Sequence, residues 1–376
     1  MVLPNLQAGI LVTLIVFLSA TQLELALGPA GLAPEVIILS LGYIIFLNSK
    51  SNRIAALWLC LCLSASYLVL TAFAELLVTG NSGALYELNF LLLIFAIPFL
   101  HRWMISASYT GSFYVTTAFL LLAMMIVFFP NKGGAFDHWD QVTLDGSGVL
   151  NRLSVYGYVS NTLACILLMF IVYGRYKKKS PVLSYSLTVT SIYWLFQTYS
   201  RTGILVLGIL ILWELFSLKQ ARMLVIPLLL VFGVPYLVFS TAHSLDILDL
   251  AFGVGRGLNS VRFENWADLL ANYKSSGIFS LGFGQGFFLV PTDNTFLGLL
   301  LGKGIIGSAA YLLLAMLLII DSIRAGGDGR AYIAQILTIM IIFAFTMDFY
   351  GQRKIILFAA VIIAAIVKDK YETRGV

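Results

Sequence analysis

Long uninterrupted apolar runs constrain this chain more than any motif in it. A helix of about 20 mostly apolar residues, within a range of roughly 17 to 25, is what crosses the hydrocarbon core of a bilayer. Twelve stretches approach that description: Ala8 to Ala26, Leu32 to Leu47, Ile54 to Val78, Ala84 to Leu100, Phe113 to Phe129, Leu153 to Tyr173, Pro181 to Tyr199, Ile204 to Leu218, Met223 to Phe239, Thr295 to Ile320, Ala331 to Met347 and Ile355 to Val367. The second, eighth and twelfth are the shortest. Barrel strands would alternate apolar and polar residues, and these runs do not, so helices are expected. A helix also pairs its backbone groups within one segment, which hydrocarbon demands. Only 11% of the residues are charged, against roughly 25% in a soluble domain. The expected fold class is therefore all-α: a polytopic integral membrane protein of about twelve spans.

Lys and Arg in short loops are held on the cytoplasmic side of a membrane. With both termini inside, that side holds Lys50, Arg53, Arg102, Arg175, Lys177, Lys178, Lys179, Lys219, Arg222, Arg324, Arg330, Lys368, Lys370 and Arg374, fourteen of the 23 basic residues. Glu214, Asp321, Asp328, Asp369 and Glu372 fall on the same side. The other nine basic residues, Arg201, Arg256, Arg262 and Lys303 among them, fall outside, where the charge rule disfavours them. The chain then divides into spans 1–239 with an outer loop at 130–152, a large outer loop at 240–293, and spans with a short inner tail at 294–376. The start carries no Lys or Arg before the first apolar run, so that run reads as an uncleaved span. Cys60, Cys62 and Cys165 all lie in apolar runs and read as small buried hydrophobes.

Chemistry is expected at the outer face. Transporters place ionisable residues near the membrane midplane, whereas Glu24, Glu75, Glu87, Arg201 and Asp348 sit at the outer ends of their runs. The loop at 240–293 has 54 residues (293 minus 240, plus one), a length that marks a functional segment. Arg201 lies in a polar break, Tyr199-Ser200-Arg201-Thr202-Gly203, between two apolar runs. A tight turn there puts its guanidinium at headgroup depth, where it either holds an anion or snorkels to lipid phosphate. Val261 to Lys274 reads as an amphipathic helix with Phe263, Trp266, Leu269, Leu270 and Tyr273 on one arc and Glu264, Asn265, Asp268 and Asn272 opposite. It would lie on the membrane or on the outer ends of the spans. Arg262 falls in its first turn, where the helix dipole disfavours a cation by a few tenths to about 1 kcal/mol. That placement points to a bound anion; a stack on Trp266 or a carboxylate partner would also account for it. Arg256 completes the set of anion-holding candidates.

Other motifs fail. The glycine groups 253/255/257 and 282/284/286 have Leu258 and Phe287 where a dinucleotide fingerprint needs its third glycine. His101, His138 and His243 are scattered, so a metal site has little support. There is no G-x-S-x-G nucleophile.

Three stretches in order carry a resemblance. They are Ser200-Arg201-Thr202-Gly203, then Arg262 and Trp266 leading to Leu281-Gly282-Phe283-Gly284, then Asp293-Asn294-Thr295-Phe296-Leu297 before Gly304-Ile305-Ile306-Gly307. Together with the large outer loop, this set resembles the O-antigen polymerase and ligase family over about Tyr199 to Leu318. The resemblance implies a glycosyltransferase of the bacterial inner membrane that works at the periplasmic face on undecaprenyl-diphosphate-linked glycans. It implies that Arg201 and Arg262 hold the lipid diphosphate and that no metal or other cofactor is needed. The expected partners are the lipid-linked oligosaccharide, the bilayer, a chain-length regulator and a flippase, with no nucleic acid. Ligases of the family carry a His before the Asn, where this chain has Asp293, so a polysaccharide polymerase is favoured over a ligase. A flippase for the lipid-linked unit is the reading outside the enzyme class.

Physically, arginines can stabilise the charge that develops on a departing diphosphate, and a carboxylate can take the proton of the acceptor hydroxyl. Asp293 is the first candidate for that base, followed by Glu264 and Asp268. Asp293 could equally cap the helix that follows it. Tyr199 and Trp266 are candidates for stacking on sugar rings, or they belong to an interfacial aromatic belt.

Overall fold

The computed structural model describes residues 8–10, 12–16, 100, 103–128, 141–144, 148–151, 153–155, 160–177, 180–217, 261–275, 278–284, 294–347 and 354–373. The expected spans at 32–47, 54–78 and 223–239 lie outside these residues, as does nearly all of 84–100 and the second half of 8–26. The described chain forms helices α1 (Gly111–Phe128), α2 (Ser160–Tyr176), α3 (Pro181–Gln197), α4 (Arg201–Ser217), α5 (Val261–Ser275), α6 (Ile278–Phe283), α7 (Thr295–Ala325), α8 (Arg330–Ala344) and α9 (Lys354–Thr373). Among the described residues three segments are long and apolar enough to cross a membrane: Gly111–Phe128, Thr295–Arg324 and Gly327–Ala344. Helices α2 and α4 are apolar but shorter.

The all-α expectation holds for the described chain, with one local addition at 130–152 that the sequence reading did not foresee. Strands β1 (Gln141–Leu144) and β2 (Gly148–Asn151) pair antiparallel there, with Gln141 opposite Asn151 and Leu144 opposite Gly148. Asp145-Gly146-Ser147 between them is a turn sequence of the kind that closes a hairpin. Helix α2 also starts later than the run beginning at Leu153. Leu153 instead donates its amide to the Gln197 carbonyl at 2.8 Å, tying the approach to α2 onto the end of α3.

The core is built around α2 and α9. From Ile355 to Val367, helix α9 is apolar on every side and buried throughout, although its apolar run is the shortest of the twelve. A helix that is apolar all round belongs in an interior. Alanines 359, 360, 364 and 365 let neighbours approach closely, and the Ala365 backbone abuts Gly111 of α1. Edge-on aromatic contacts join three helices, Phe119 to Phe170 at 5.2 Å and Phe170 to Phe358 at 5.9 Å between ring centres.

Polar contacts collect at the two ends of this bundle. At one end Arg175 pairs with Glu214, and Lys177 pairs with Asp369 at 2.7 Å. Lys368 donates to the carbonyls of Met104 at 2.9 Å and Ala107 at 2.5 Å. Each of these charges was assigned to the cytoplasmic side from sequence, so the charge sorting and the packing agree on which groups share an end. At the other end the Ser200 hydroxyl donates to Asn161 Oδ1 at 2.8 Å, and the Thr295 hydroxyl donates to the Met347 carbonyl at 2.8 Å. The pairs at the first end are partly buried, with Asp369 the most enclosed of the four, so each brings together opposite charges that would be costlier to leave unpaired than at an open surface.

Candidate functional site

The second end, which carries both the turn at Gln197 to Arg201 and the helix start at Asn294 to Thr295, holds the described part of the candidate site. Helix α3 stops at Gln197, and Tyr199 adopts a positive φ of 46°. For a bulky L-residue this left-handed conformation costs roughly 1–2 kcal/mol, and such outliers concentrate at functional positions. Ser200 then caps α4: its Oγ accepts from the Gly203 amide at 3.1 Å, and its carbonyl accepts from Ile204 at 2.9 Å. Asn161 fixes that serine from α2. The polar break predicted at 199–203 is thus a capped turn, and Arg201 is the first residue of α4.

Arg262 is the second residue of α5. Both arginines therefore stand in the first turn of a helix, where unsatisfied amides and the macrodipole favour an anion and disfavour a cation. Glu264 and Trp266 lie farther along α5, and at these three α5 positions, as at Arg201, the structure describes the backbone course. Asp268 is exposed and Tyr199 half-buried. Arg256 and Asp293 lie outside the described residues.

The amphipathic reading of α5 holds over 268–275, where its side chains are described; Phe263, Glu264, Asn265 and Trp266 of the predicted faces lie outside that stretch. Tyr273 is buried, Leu269 and Leu270 are half-buried, and Asp268, Asn272 and Lys274 are exposed. The apolar arc packs with Leu281 of α6 and with Leu297, Leu300 and Leu301 of α7, so α5 rests on the N-terminal end of a helix in the bundle. The Tyr273 hydroxyl donates to the Leu281 carbonyl at 2.7 Å. Burial raises the Tyr273 pKa above the ordinary phenol value, because the phenolate would have to be desolvated.

Helix α7 departs from the single continuous span predicted from Thr295. Gly304, with φ 65° and ψ −171°, breaks it in a region that essentially only glycine enters. The break lets two glycine pairs cross. A methyl group at Gly284, itself at φ 85°, would collide with the Gly302 carbonyl, and one at Gly304 would collide with Gly282. The LGFG and GKG stretches are thus one backbone contact. Lys303, counted from sequence only as an outer basic residue, is buried in this contact with 5% of its surface exposed. Its stem lies along Gly307. A lysine flanked by glycines in an apolar run was the available signal, and only the fold shows that it is enclosed.

The helix cap is also reassigned. Asn294 caps α7, its Oδ1 accepting from the Phe296 amide at 3.0 Å and the Leu297 amide at 3.1 Å. The capping role considered for Asp293 belongs to its neighbour. Helix α8 packs against both α4 and α7, and its end meets the start of α7 where the Thr295 hydroxyl donates to the Met347 carbonyl. Comparison with known proteins adds no family assignment: no family model matches the chain, and no curated protein is significantly similar to it.

Proposed function

We propose that the chain is a membrane glycosyltransferase that polymerises polysaccharide repeat units carried on undecaprenyl diphosphate. The observation that carries this reading is the placement of Arg201 and Arg262, each in the first turn of a helix. The two helix ends offer amide donors and positive dipole ends beside a guanidinium, a combination suited to diphosphate. In this reading the arginines hold the diphosphate as it leaves, and its developing charge is where their stabilisation acts. Asp293, relieved of the cap by Asn294, takes the proton from the acceptor hydroxyl as it attacks the anomeric carbon. The carbon–oxygen bond to the diphosphate breaks as the new glycosidic bond forms. Arg256, Glu264 and Asp268 are further proposed site residues, and Tyr199 and Trp266 are proposed to stack on sugar rings.

The second end of the bundle faces the periplasm in this reading, both termini are cytoplasmic, and the chain spans a bacterial inner membrane about twelve times. A chain-length regulator and a flippase are its proposed partners. The alternative within the class is a ligase that transfers the glycan to lipid A core or protein; the His that ligases carry before the Asn is Asp293 here. Purified full-length protein in liposomes with an undecaprenyl-diphosphate oligosaccharide tests the proposal. A ladder of glycan lengths supports polymerisation. A single transfer to a second acceptor would assign it as a ligase, and translocation with no new glycosidic bond would remove the enzyme reading in favour of a flippase. Arg201→Ala and Arg262→Ala are each expected to lower transfer by about 10²–10³-fold, the usual loss for one oxyanion donor. Near-normal chain growth in both variants would remove the diphosphate clamp.

A further inference from the structure

The outer loop contains a short helix with an unusual surface. Helix α6 leaves Ile278 89% exposed and Phe283 51% exposed, while α5 beside it exposes Asp268, Asn272, Lys274 and Ser275. Fully burying one such apolar side chain is worth roughly 1.5–3 kcal/mol, and Ile278, almost wholly exposed, forfeits most of that in water while Phe283 forfeits about half. The neighbouring surface shows what covers them. Beyond Gly304, helix α7 runs from 305 to 325, 21 residues (325 minus 305, plus one), and at 1.5 Å per residue that is about 30 Å, the thickness of the hydrocarbon core. Its exposed side chains, Ile305, Ile306, Leu312, Leu313 and Met316, point away from the protein. Helix α6 is locked at the start of this segment by the crossed glycines, and the position of a Gly282 methyl lies 3.9 Å from Ile306 Cδ1. The exposed face of α6 therefore continues the exposed apolar face of α7.

We propose that α6 is seated in the lipid of the leaflet next to the large loop, with Ile278 and Phe283 in contact with acyl chains. The loop then dips back into the membrane, and the water boundary passes between the dry α6 and the wet face of α5. Lipid is the occupant because the face is continuous with a segment long enough to span and, until Arg324 in the last turn of α7, carries no exposed charge among its described residues. The seat holds α5, and with it Arg262, close to headgroup depth, where a lipid diphosphate would lie. That consequence rests on the glycosyltransferase reading; the seat itself does not.

The test uses the full chain in phospholipid vesicles in which a fraction of the lipid carries a diazirine in its acyl chain. After irradiation and digestion, adducts are expected on Ile278 and Phe283, as on Leu312 and Met316, and not on 268–275. Hydroxyl-radical footprinting in the same vesicles should give the opposite pattern. Oxidation of Ile278 and Phe283 without lipid adducts would overturn the seat, and so would protection from both reagents, because protein would then be the cover. Labelling needs no glycan substrate, so lost adducts with retained chain growth would remove only the seat, and adducts without any transfer would remove only the enzyme reading.

Discussion

At the scale of single residues, Tyr199 and Asn294 separate function from stability. Tyr199 holds a left-handed backbone that glycine would adopt at no steric cost. Tyr199→Gly is therefore expected to leave thermal stability unchanged or raised, by up to about 1 kcal/mol, while glycan transfer falls. A variant that loses stability and transfer together would show that the tyrosine ring is needed for packing and not for substrate. Asn294 and Asp293 differ in the reverse sense. Loss of the cap in Asn294→Ala should cost about 1 kcal/mol, whereas Asp293→Asn should leave the melting transition in place and abolish transfer. Retained transfer in Asp293→Asn would assign the proton acceptor elsewhere, with Glu264 and Asp268 next. The sequence shows two adjacent capping residue types, and single-residue ambiguity at a helix end is resolved only by which oxygen meets the free amides.

At the scale of elements, apolar runs announced the helices because each needs only its own composition to be stable in lipid. The break at Gly304 could not be read in the same way. Gly302-Lys303-Gly304 inside an apolar run looks like a small-residue packing patch, and its positive φ exists because Gly282 and Gly284 press against it from a distant part of the chain. The hairpin at 141–151 did leave a local signal, a Gly-containing turn between short β-prone stretches, but four-residue strands are too short for alternation to stand out. Gly304→Ala and Gly284→Ala should each destabilise the α5–α6–α7 packing by at least about 1–2 kcal/mol from backbone strain alone, with the collision added. Protease sensitivity of the 240–293 loop in otherwise folded protein would report it. Tyr273 makes the same packing sensitive to pH. Its pKa is raised on folding, so its contribution is complete below the unfolded phenol value of about 10 and is lost as pH rises through the folded value. Loop protection should therefore fall above about pH 10 in the native chain, and that pH dependence should be reduced in Tyr273→Phe, which lacks the titrating group.

At the scale of the whole molecule, the charge sorting and the packing make a joint claim about sides. Arg175 with Glu214, Lys177 with Asp369, and Lys368 with the Met104 and Ala107 carbonyls all gather at one end, although these groups come from segments far apart in the chain. Asp369 is nearly enclosed beside Lys177, and a second positive charge there would meet the first without a counter-ion, so Asp369→Lys should lower the yield of folded protein, and the exchange Lys177→Asp with Asp369→Lys should recover part of it. In a bundle that crosses the membrane as proposed, the two ends lie on opposite faces. Ser180 and Asp328 are exposed at the charged end, and Asp268 is exposed on α5 at the other. Cysteines placed at Ser180 or Asp328 should react with a membrane-impermeant maleimide only in inside-out vesicles, and one at Asp268 only in right-side-out vesicles, with peptide mapping locating the adduct. If all three react from one face, the bundle does not cross the membrane between its ends, and the charge rule has been misapplied to this chain. If the two faces are exchanged, the bundle crosses but points the other way, which would put the arginine-bearing helix ends in the cytoplasm and remove the periplasmic polymerase.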